Sequence, residues 1–460
     1  MTALRYAAST ASPHLVDAVQ EGDALRSGAA AALIDENLRM STAGLKSYFF
    51  AAWDPLLVDL LVVAAAVEFC DLTHRRPARG WARRFDLCLA VHDPEHWRQP
   101  EVLDALTDAV GFLTGDLWAF SFVRRRRPAA PVPQQSLELN SSARVIMPYS
   151  DGLDSRAVAA LVADKEQGGL VRVRLGAKGA DQNVRFRRRR PFAAVPYEVR
   201  VHRSERRESS ARSRGFKFAV VTGIAAHLAR VQRIAVTESG QGALGPVLTV
   251  TGHAYPDYRV HPAFSRKMER LFAVLLGQSA RYEYPRLWST KGETLAEAAA
   301  LPSGLDWSDT RSCWQQSRQV AVDGERRQCG ICAACLLRRM SMHRARLVEP
   351  ETTYVWTDLS APTFHEGAAG GFALFTSALE EYAVAGVLHL DHLARLAGSR
   401  LHASSKRRVA RELAAAEEAD SRVVENRLED LLQRHRDEWR AFLASLGPRS
   451  FIAQLASVAP

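Results

Sequence analysis

Cys313, Cys329, Cys332 and Cys335 crowd into one short segment of a chain that has only six cysteines. The last three form Cys329-Gly330-Ile331-Cys332-Ala333-Ala334-Cys335, a CGxCxxC knuckle with a fourth cysteine upstream. Tetrahedral zinc takes four soft ligands, and such short spacings aim two or three thiolates at one ion. Four thiolates close the coordination shell, which favours a structural role over a catalytic one. An iron–sulfur cluster and unliganded or disulfide-bonded cysteines are the rival readings; zinc (Zn2+) is the most economical where no redox chemistry is needed. A second candidate is Ser150-Asp151-Gly152-Leu153-Asp154-Ser155, which follows a strand candidate and opens directly into a helix. Unpaired amides and the positive end of the helix dipole make that junction an anion site, and Gly with short hydroxylated residues lets a phosphate approach the backbone. The same residues would also serve as a plain N-cap. No GxxxxGK[ST] occurs, so a Walker-type ATPase is not supported.

The elements that position these residues follow from hydrophobic periodicity. Arg144 to Tyr149 reads as a strand, Leu153 to Ala163 as a helix and Leu170 to Leu175 as the next strand. Val195 to Val201 reads as a strand, Phe216 to Leu228 as a helix and Ile234 to Thr237 as a strand again. This alternation predicts an α/β fold, a doubly wound parallel sheet whose ligands bind beyond the carboxyl ends of the strands. The loops after Tyr149 and Thr237 are therefore where to look, and Glu238 stands at the second of them. Before this middle domain (residues 140–348) lies an expected α+β module over residues 1–125, with helical patterning through Leu56 to Phe69 and Glu101 to Leu113 and strands at Phe85 to Val91 and Leu117 to Val123. After it comes an expected helical module over residues 355–460, marked by an acidic-basic mixture from Arg407 to Arg440.

The formal charge of +10 favours an anionic partner without choosing one, and only seven of the 61 basic residues are lysine, a skew that base composition alone can produce. Met1 to Gln20 has no continuous apolar core of a secretory signal. Pro55 to Val67 contains Asp59 and falls short of the ~20 residues that span a bilayer. A cytoplasmic protein with one thiolate cluster is expected, with Cys70 and Cys88 as buried small hydrophobes.

The loop resembles the SGGxDS pyrophosphate-binding loop (PP-loop) of the N-type ATP pyrophosphatases, with Asp151 in place of the first Gly. An aspartate beside pyrophosphate is repelled unless it points away or pairs with a base such as Arg156. From about Ser142 to Met342 the chain resembles QueC, the 7-cyano-7-deazaguanine synthase family. Tyr255-Pro256-Asp257-Tyr258-Arg259 is similar to that family's GYPDCR segment, Thr290-Lys291-Gly292-Glu293 to its KAE segment, and Ser312-Cys313 to the SC before the knuckle. The resemblance implies an adenine nucleotide alpha hydrolase-like domain using ATP, Mg2+ and Zn2+. It implies adenylation of the carboxylate of 7-carboxy-7-deazaguanine, capture as an amide and a second activation to a nitrile. Ser150, Asp151, Gly152, Leu153, Asp154 and Ser155 would then hold ATP, with Asp154 a candidate magnesium ligand. Lys291 would meet phosphate charge as it develops, and Glu238, Asp257 and Arg259 would contact substrate. His253 and His261 are lesser acid-base candidates.

The flanking modules, Glu208-Ser209-Ser210 with Arg212 and Arg214, and Thr237-Glu238-Ser239-Gly240-Gln241-Gly242 look like QatC-type components of the Qat anti-phage defence system. That likeness implies partner proteins of a defence operon, one of which could supply the attacking amine. Two other classes compete. A base-modifying enzyme acting on tRNA would use Arg124 to Arg127 and Arg187 to Arg190, the latter flanked by Phe186 and Phe192, to track a phosphate backbone. A scaffold would keep the fold without ATP turnover, for which Asp151 is the best argument.

Overall fold

The computed structural model describes residues 12–40, 54–78, 80–127, 143–150, 152–175, 192–195, 197–208, 212–248, 255–315 and 320–458. The chain begins with β1 (His14–Val19), β2 (Ala30–Leu33), β3 (Leu38–Met40), α1 (Pro55–Thr73), β4 (Arg84–Val91), α2 (Pro94–Trp97), α3 (Pro100–Thr114) and β5 (Leu117–Arg124). Its middle runs β6 (Val145–Pro148), α4 (Leu153–Glu166), β7 (Leu170–Leu175), β8 (Phe192–Val195), β9 (Tyr197–Val199), α5 (Arg214–Ala229), β10 (Arg233–Ala235), α6 (Gly240–Leu248), α7 (Pro262–Leu276), β11 (Arg281–Glu283) and α8 (Lys291–Ala299). The short hairpin β12 (Ala321–Val322) and β13 (Glu325–Arg326) leads to α9 (Ala333–Ala345), α10 (Ser377–Arg395), α11 (Ala403–Glu417), α12 (Ser421–Leu446) and α13 (Phe451–Val458). These elements form two compact units interleaved along the chain. One comprises Met1–Ser150, Ala163–Val236 and Val250–Pro285, the other Asp151–Val162, Thr237–Thr249 and Arg286–Pro460.

The first unit holds two parallel sheets. β2-β1-β4-β5 is parallel throughout, so the region expected to be an α+β module is itself a parallel α/β layer. Parallel strands need helical crossovers, and α1 and α3 supply them between β2 and β4 and between β4 and β5. Asp54 caps α1 by accepting from the Leu56 amide, with Pro55 in its first turn. The run from Leu57 to Leu72 is buried nearly all round, which is why the greasy stretch there is a core helix. β5 alternates exposed and buried residues, as an edge strand should.

The larger sheet has the order β11-β10-β6-β7-β8, all parallel. Val145, Ile146 and Met147 of β6 are fully buried at its centre. β6 pairs with β7 on one side and β10 on the other, so the strand order reverses there. Doubly wound sheets bind ligands at such a switch point. The chain leaves β6 through Tyr149 and Ser150, and β10 through Val236 and Thr237. The single strand expected over Val195 to Val201 is instead two: β8 extends this sheet, and β9 pairs antiparallel with β3. Pro196 stands between them in the sequence, and a proline has no N–H to carry a ladder across.

The second unit is helical apart from β12 and β13. Its core gathers Cys329, Cys332, Cys335, Leu336, Trp356, Val387, Leu390, Trp439, Phe442 and Ile452. α12 buries Val424, Leu428, Leu431, Leu432, His435, Glu438, Trp439 and Phe442. That spacing is one helical stripe, and it carries a histidine and a glutamate inward among apolar residues. Among the described residues no helix is long and apolar enough to cross a membrane.

Candidate functional site

The four cysteines expected to form one cluster do so. Their Sγ atoms all lie within 4.8 Å of one another, and Cys329 Sγ is 3.7 Å from Cys335 Sγ. Zinc–sulfur bonds of about 2.3 Å give tetrahedral sulfur–sulfur edges of about 3.8 Å, whereas a disulfide needs about 2.05 Å. The donor set fits a zinc ion with no open position. Amide donors aim the sulfurs: the Cys329 amide donates to the distant Cys313 Sγ at 3.2 Å, and in the knuckle turn the Cys332 amide donates to Cys329 Sγ at 3.3 Å. Hydrogen bonds from Cys329, Cys332 and Cys335 hold the Cys313 thiol far below its ordinary range, so this cluster favours at least one thiolate. Gly330 takes a positive φ of 91° at the tight turn. Gly386 lets α10 lie directly on the knuckle, since a Cβ there would come within 2.8 Å of Ile331 O and Ala333 N. Cys70 and Cys88 are buried away from the cluster as free thiols.

The second unit also brings Asp154 and Lys291 together. Asp154 lies in the first turn of α4, which starts where the Arg156 amide donates to Gly152 O at 3.0 Å. Lys291 is the first residue of α8, whose N-cap Thr290 forms a reciprocal capping box with Glu293. Lys291 Nζ donates to Asp154 Oδ2 at 2.5 Å, with the lysine side chain 7% exposed. Each helix start has a positive dipole end, which stabilises an anion, while the Lys291 and Glu293 amides of α8 are taken by Gln241 Oε1 and Thr290 Oγ1. Leu153, expected in the ATP loop, turns its side chain into a cluster with Ala157, Leu295 and Met342; only its main chain remains for a ligand. Ser155 is buried, and Arg156 is engaged by Asp306 rather than held for an incoming charge. Asp151 lies outside the described residues.

The lysine is held from behind by α12. The Lys291 amide donates to Gln241 Oε1 at 2.6 Å, and Gln241 Nε2 faces His435 Nδ1 at 3.2 Å. His435 Nε2 donates in turn to Leu390 O at 3.0 Å. Burial pushes the fully enclosed His435 down to about 4, so it is neutral, in the tautomer that these partners require. Thr290 Oγ1 donates to Glu438 Oε1 at 2.5 Å, and Arg344 Nε lies 3.6 Å from the same oxygen. Burial pushes the Glu438 carboxyl up to about 7 from an ordinary value of 4.5, against the Thr290 hydrogen bond and with Glu293 adding to the rise.

This predicts a pH effect. The folded state holds the Glu438 proton more tightly than the unfolded chain, so the stabilisation is fully present below about pH 4.5 and is lost as pH rises through about 7. The melting temperature of Glu438→Gln, which keeps the acceptor oxygen but never ionises, is expected to fall less than that of the wild type between about pH 5 and 8, the difference corresponding to on the order of 3 kcal/mol at most. Parallel curves for the two proteins would remove Glu438 as the source.

Asp257 and Arg259 belong to the first unit and are bound to each other. Arg259 Nε reaches both Asp257 oxygens at 2.9 and 2.8 Å, and Arg212 Nη1 lies 3.4 Å from Oδ1. Burial alone would raise the Asp257 carboxyl, but Arg259 and then Arg212 outweigh it and hold it below its ordinary value. Gly215 allows α5 to start against this turn, since a Cβ would come 2.9 Å from the Arg259 backbone. Glu238, in the second unit, folds its carboxylate over Gly242, where a Cβ would overlap it. His261 is fully buried as the N-cap of α7, its Nδ1 accepting from the Ala263 amide at 3.2 Å, a structural task. His253, Phe186 and Arg187 to Arg190 lie outside the described residues. The other basic run is tied to its own unit: Arg124 donates to His92 O, Arg125 pairs with Asp35, Arg126 with Asp23, and Arg127 donates to Glu21 O.

Sequence reasoning had no means of finding Glu438 and His435, which carry no motif. Gln241 stands in the quoted loop, but nothing in the sequence gives its task as the clamp on Lys291.

Residues 219–346 match the family described as Queuosine biosynthesis protein QueC. The 7-cyano-7-deazaguanine synthase of Thiobacillus denitrificans is 36% identical over 101 residues, 21% of this chain and 41% of that protein. The synthases of Ralstonia nicotianae (34% over 101 residues, 21% and 41%) and of an Anaeromyxobacter species (36% over 106 residues, 22% and 40%) are similar to the same extent. The chain thus spans about 41% of the length of the curated relatives it matches. No solved structure matches it. The matched stretch contains Glu238, Asp257, Arg259, Lys291 and all four cysteines, and over residues 219–346 the chain is QueC-like.

Proposed function

We propose that this chain is an ATP-dependent carbon–nitrogen ligase that adenylates the carboxylate of a 7-deazaguanine, such as 7-carboxy-7-deazaguanine, and joins it to an amine. The observation that carries this reading is the Lys291–Asp154 pair at the first turns of two helices. A carboxylate is a poor electrophile, and its oxygen has to become a leaving group. The carboxylate oxygen attacks the α-phosphorus of ATP, the bond to the bridging oxygen breaks, and pyrophosphate leaves with the electron pair. The amine then attacks the acyl carbon, loses a proton and expels AMP. Where the amine is ammonia, a second adenylation, of the primary amide's oxygen, followed by loss of AMP and of the two protons on nitrogen, gives the nitrile.

Charge builds on the departing pyrophosphate, and preorganised donors aimed at that charge lower the barrier. Ser150, Gly152, Ser155 and the main chain at Leu153 cradle phosphate, and Lys291 neutralises it. Asp154 would hold magnesium, which supplies further neutralisation. Asp257, kept ionised by Arg259 and Arg212, accepts hydrogen bonds from a guanine-like edge, and Glu238 is a separate candidate for substrate contact. The structural zinc takes no part in the chemistry. The likeness of the flanking modules to Qat defence components is the ground for a defence role in which a partner protein's amine is the acceptor.

The full chain incubated with ATP, Mg2+, ammonium and 7-carboxy-7-deazaguanine is expected to release AMP and pyrophosphate in equal amounts. Neither product from zinc-replete protein would favour a scaffold, and turnover that needs RNA would favour the base-modifying enzyme. A deazaguanine-sized mass adduct on a co-expressed partner tests the acceptor.

A further inference from the structure

The first unit contains a cleft of about 500 Å³ lined by Arg75, Arg76, Arg206, Arg207 and Glu208. Its walls are fastened together: the Arg207 and Glu208 amides both donate to Leu72 O, at 3.0 and 3.1 Å, near the end of α1. Arg76 is the rigid member. Its guanidinium pairs with Asp116 at 2.9 Å and Asp71 at 3.3 Å and lies 4.1 Å from the Trp81 ring centroid. Its side chain is only 9% exposed, yet its Nε has no hydrogen-bond partner among the described residues.

Arg75, Arg206 and Arg207 are exposed arginines gathered on one cleft rather than scattered over the surface. Arg98, Arg286, Arg395 and Arg408 each close an ion pair with a nearby carboxylate. Among the described residues, no carboxylate pairs with the three cleft guanidiniums, and Glu208 is the one acid in the lining. With Arg76 already paired to Asp116 and Asp71, Arg75, Arg206 and Arg207 face a space in which Glu208 is the single countercharge, and an entering polyanion relieves their mutual repulsion. The volume lies within the range of small-ligand sites, but no apolar side chain lines it, so it selects for charge and oxygen geometry rather than for a ring. Guanidinium forks match the paired oxygens of phosphate.

We propose that this cleft binds a small phosphate-bearing ligand, with Arg75, Arg206 and Arg207 on its non-bridging oxygens and Arg76 as the fixed wall. The site does not depend on ATP turnover at Lys291. Inorganic pyrophosphate titrated calorimetrically into the full chain is the test, with Lys291→Ala alongside to separate the two sites. Pyrophosphate binding that survives Lys291→Ala and weakens at least 10-fold in Arg206→Ala/Arg207→Ala is expected, with stronger binding at low salt. Arg75→Ala, a single exposed change, is expected to weaken it in the same direction and guards against a folding defect in the double variant. An isotherm unchanged by all three cleft substitutions would overturn the proposal. So would binding of a single-stranded RNA oligomer that alone depends on these arginines, since the ligand would then be a nucleic-acid backbone.

Discussion

Lys291→Ala is expected to lower ATP-dependent AMP formation by at least 100-fold while leaving the fold in place. The magnitude follows from the environment: a cation aimed at developing phosphate charge in a largely enclosed position is of order 3 kcal/mol in the transition state, and the Lys291 side chain is 7% exposed. The fold should persist because the main chain does the anchoring. The residue 291 amide still donates to Gln241 Oε1, and the Thr290–Glu293 capping box does not involve the lysine side chain. Asp154 loses its partner but is a quarter exposed and can turn to water, a cost of about 1 kcal/mol. The measurement is AMP and pyrophosphate release at saturating ATP, paired with a melting curve. Turnover within a few-fold of wild type would reduce Lys291 to a structural partner of Asp154.

Zinc loss is expected to have the largest effect on stability. One zinc per chain should be found by native mass spectrometry, and Cys332→Ser should abolish it. The cluster is at the centre of the second unit's core, against Trp356, Val387, Trp439 and Ile452, so its disruption unties α9, α10, α12 and α13 together. Structural zinc contributes about 10–16 kcal/mol in small domains. Even about 4 kcal/mol of that would lower the melting temperature by about 4 °C in a chain of this size. Chelator-treated wild type should melt with Cys332→Ser, and Cys70→Ala should retain its metal. Visible absorbance with iron in place of zinc would overturn the assignment.

Between Arg144 and Ala235 the elements other than β8 and β9 are readable because each is a short apolar run bounded by polar turns, whereas Val195 to Val201 reads as one strand and is divided between two sheets. Cys313 to Cys335 and Lys291 were readable for another reason: their chemistry depends on local spacing. β1 to β3 were not read, since Ala30–Leu33 is alanine-rich and strand propensity there is weak. Tertiary pairing decides it, β2 on β1, β1 on β4 and β3 on β9. The support behind Lys291 was hidden for the same reason. Glu438 and His435 lie in a stretch of mixed charge that reads as a solvated helix face, and only the packing of α12 turns them inward.

The QueC-like stretch ends at residue 346, yet Thr290 and Gln241 within it complete their hydrogen bonds on Glu438 and His435. The structural support of Lys291 is therefore larger than the stretch of resemblance. A recombination event that exchanged the C-terminal helices would remove the floor beneath Lys291 without touching a single matched residue. Positions 241 and 435, and likewise 290 and 438, are expected to change as pairs when this lineage diverges.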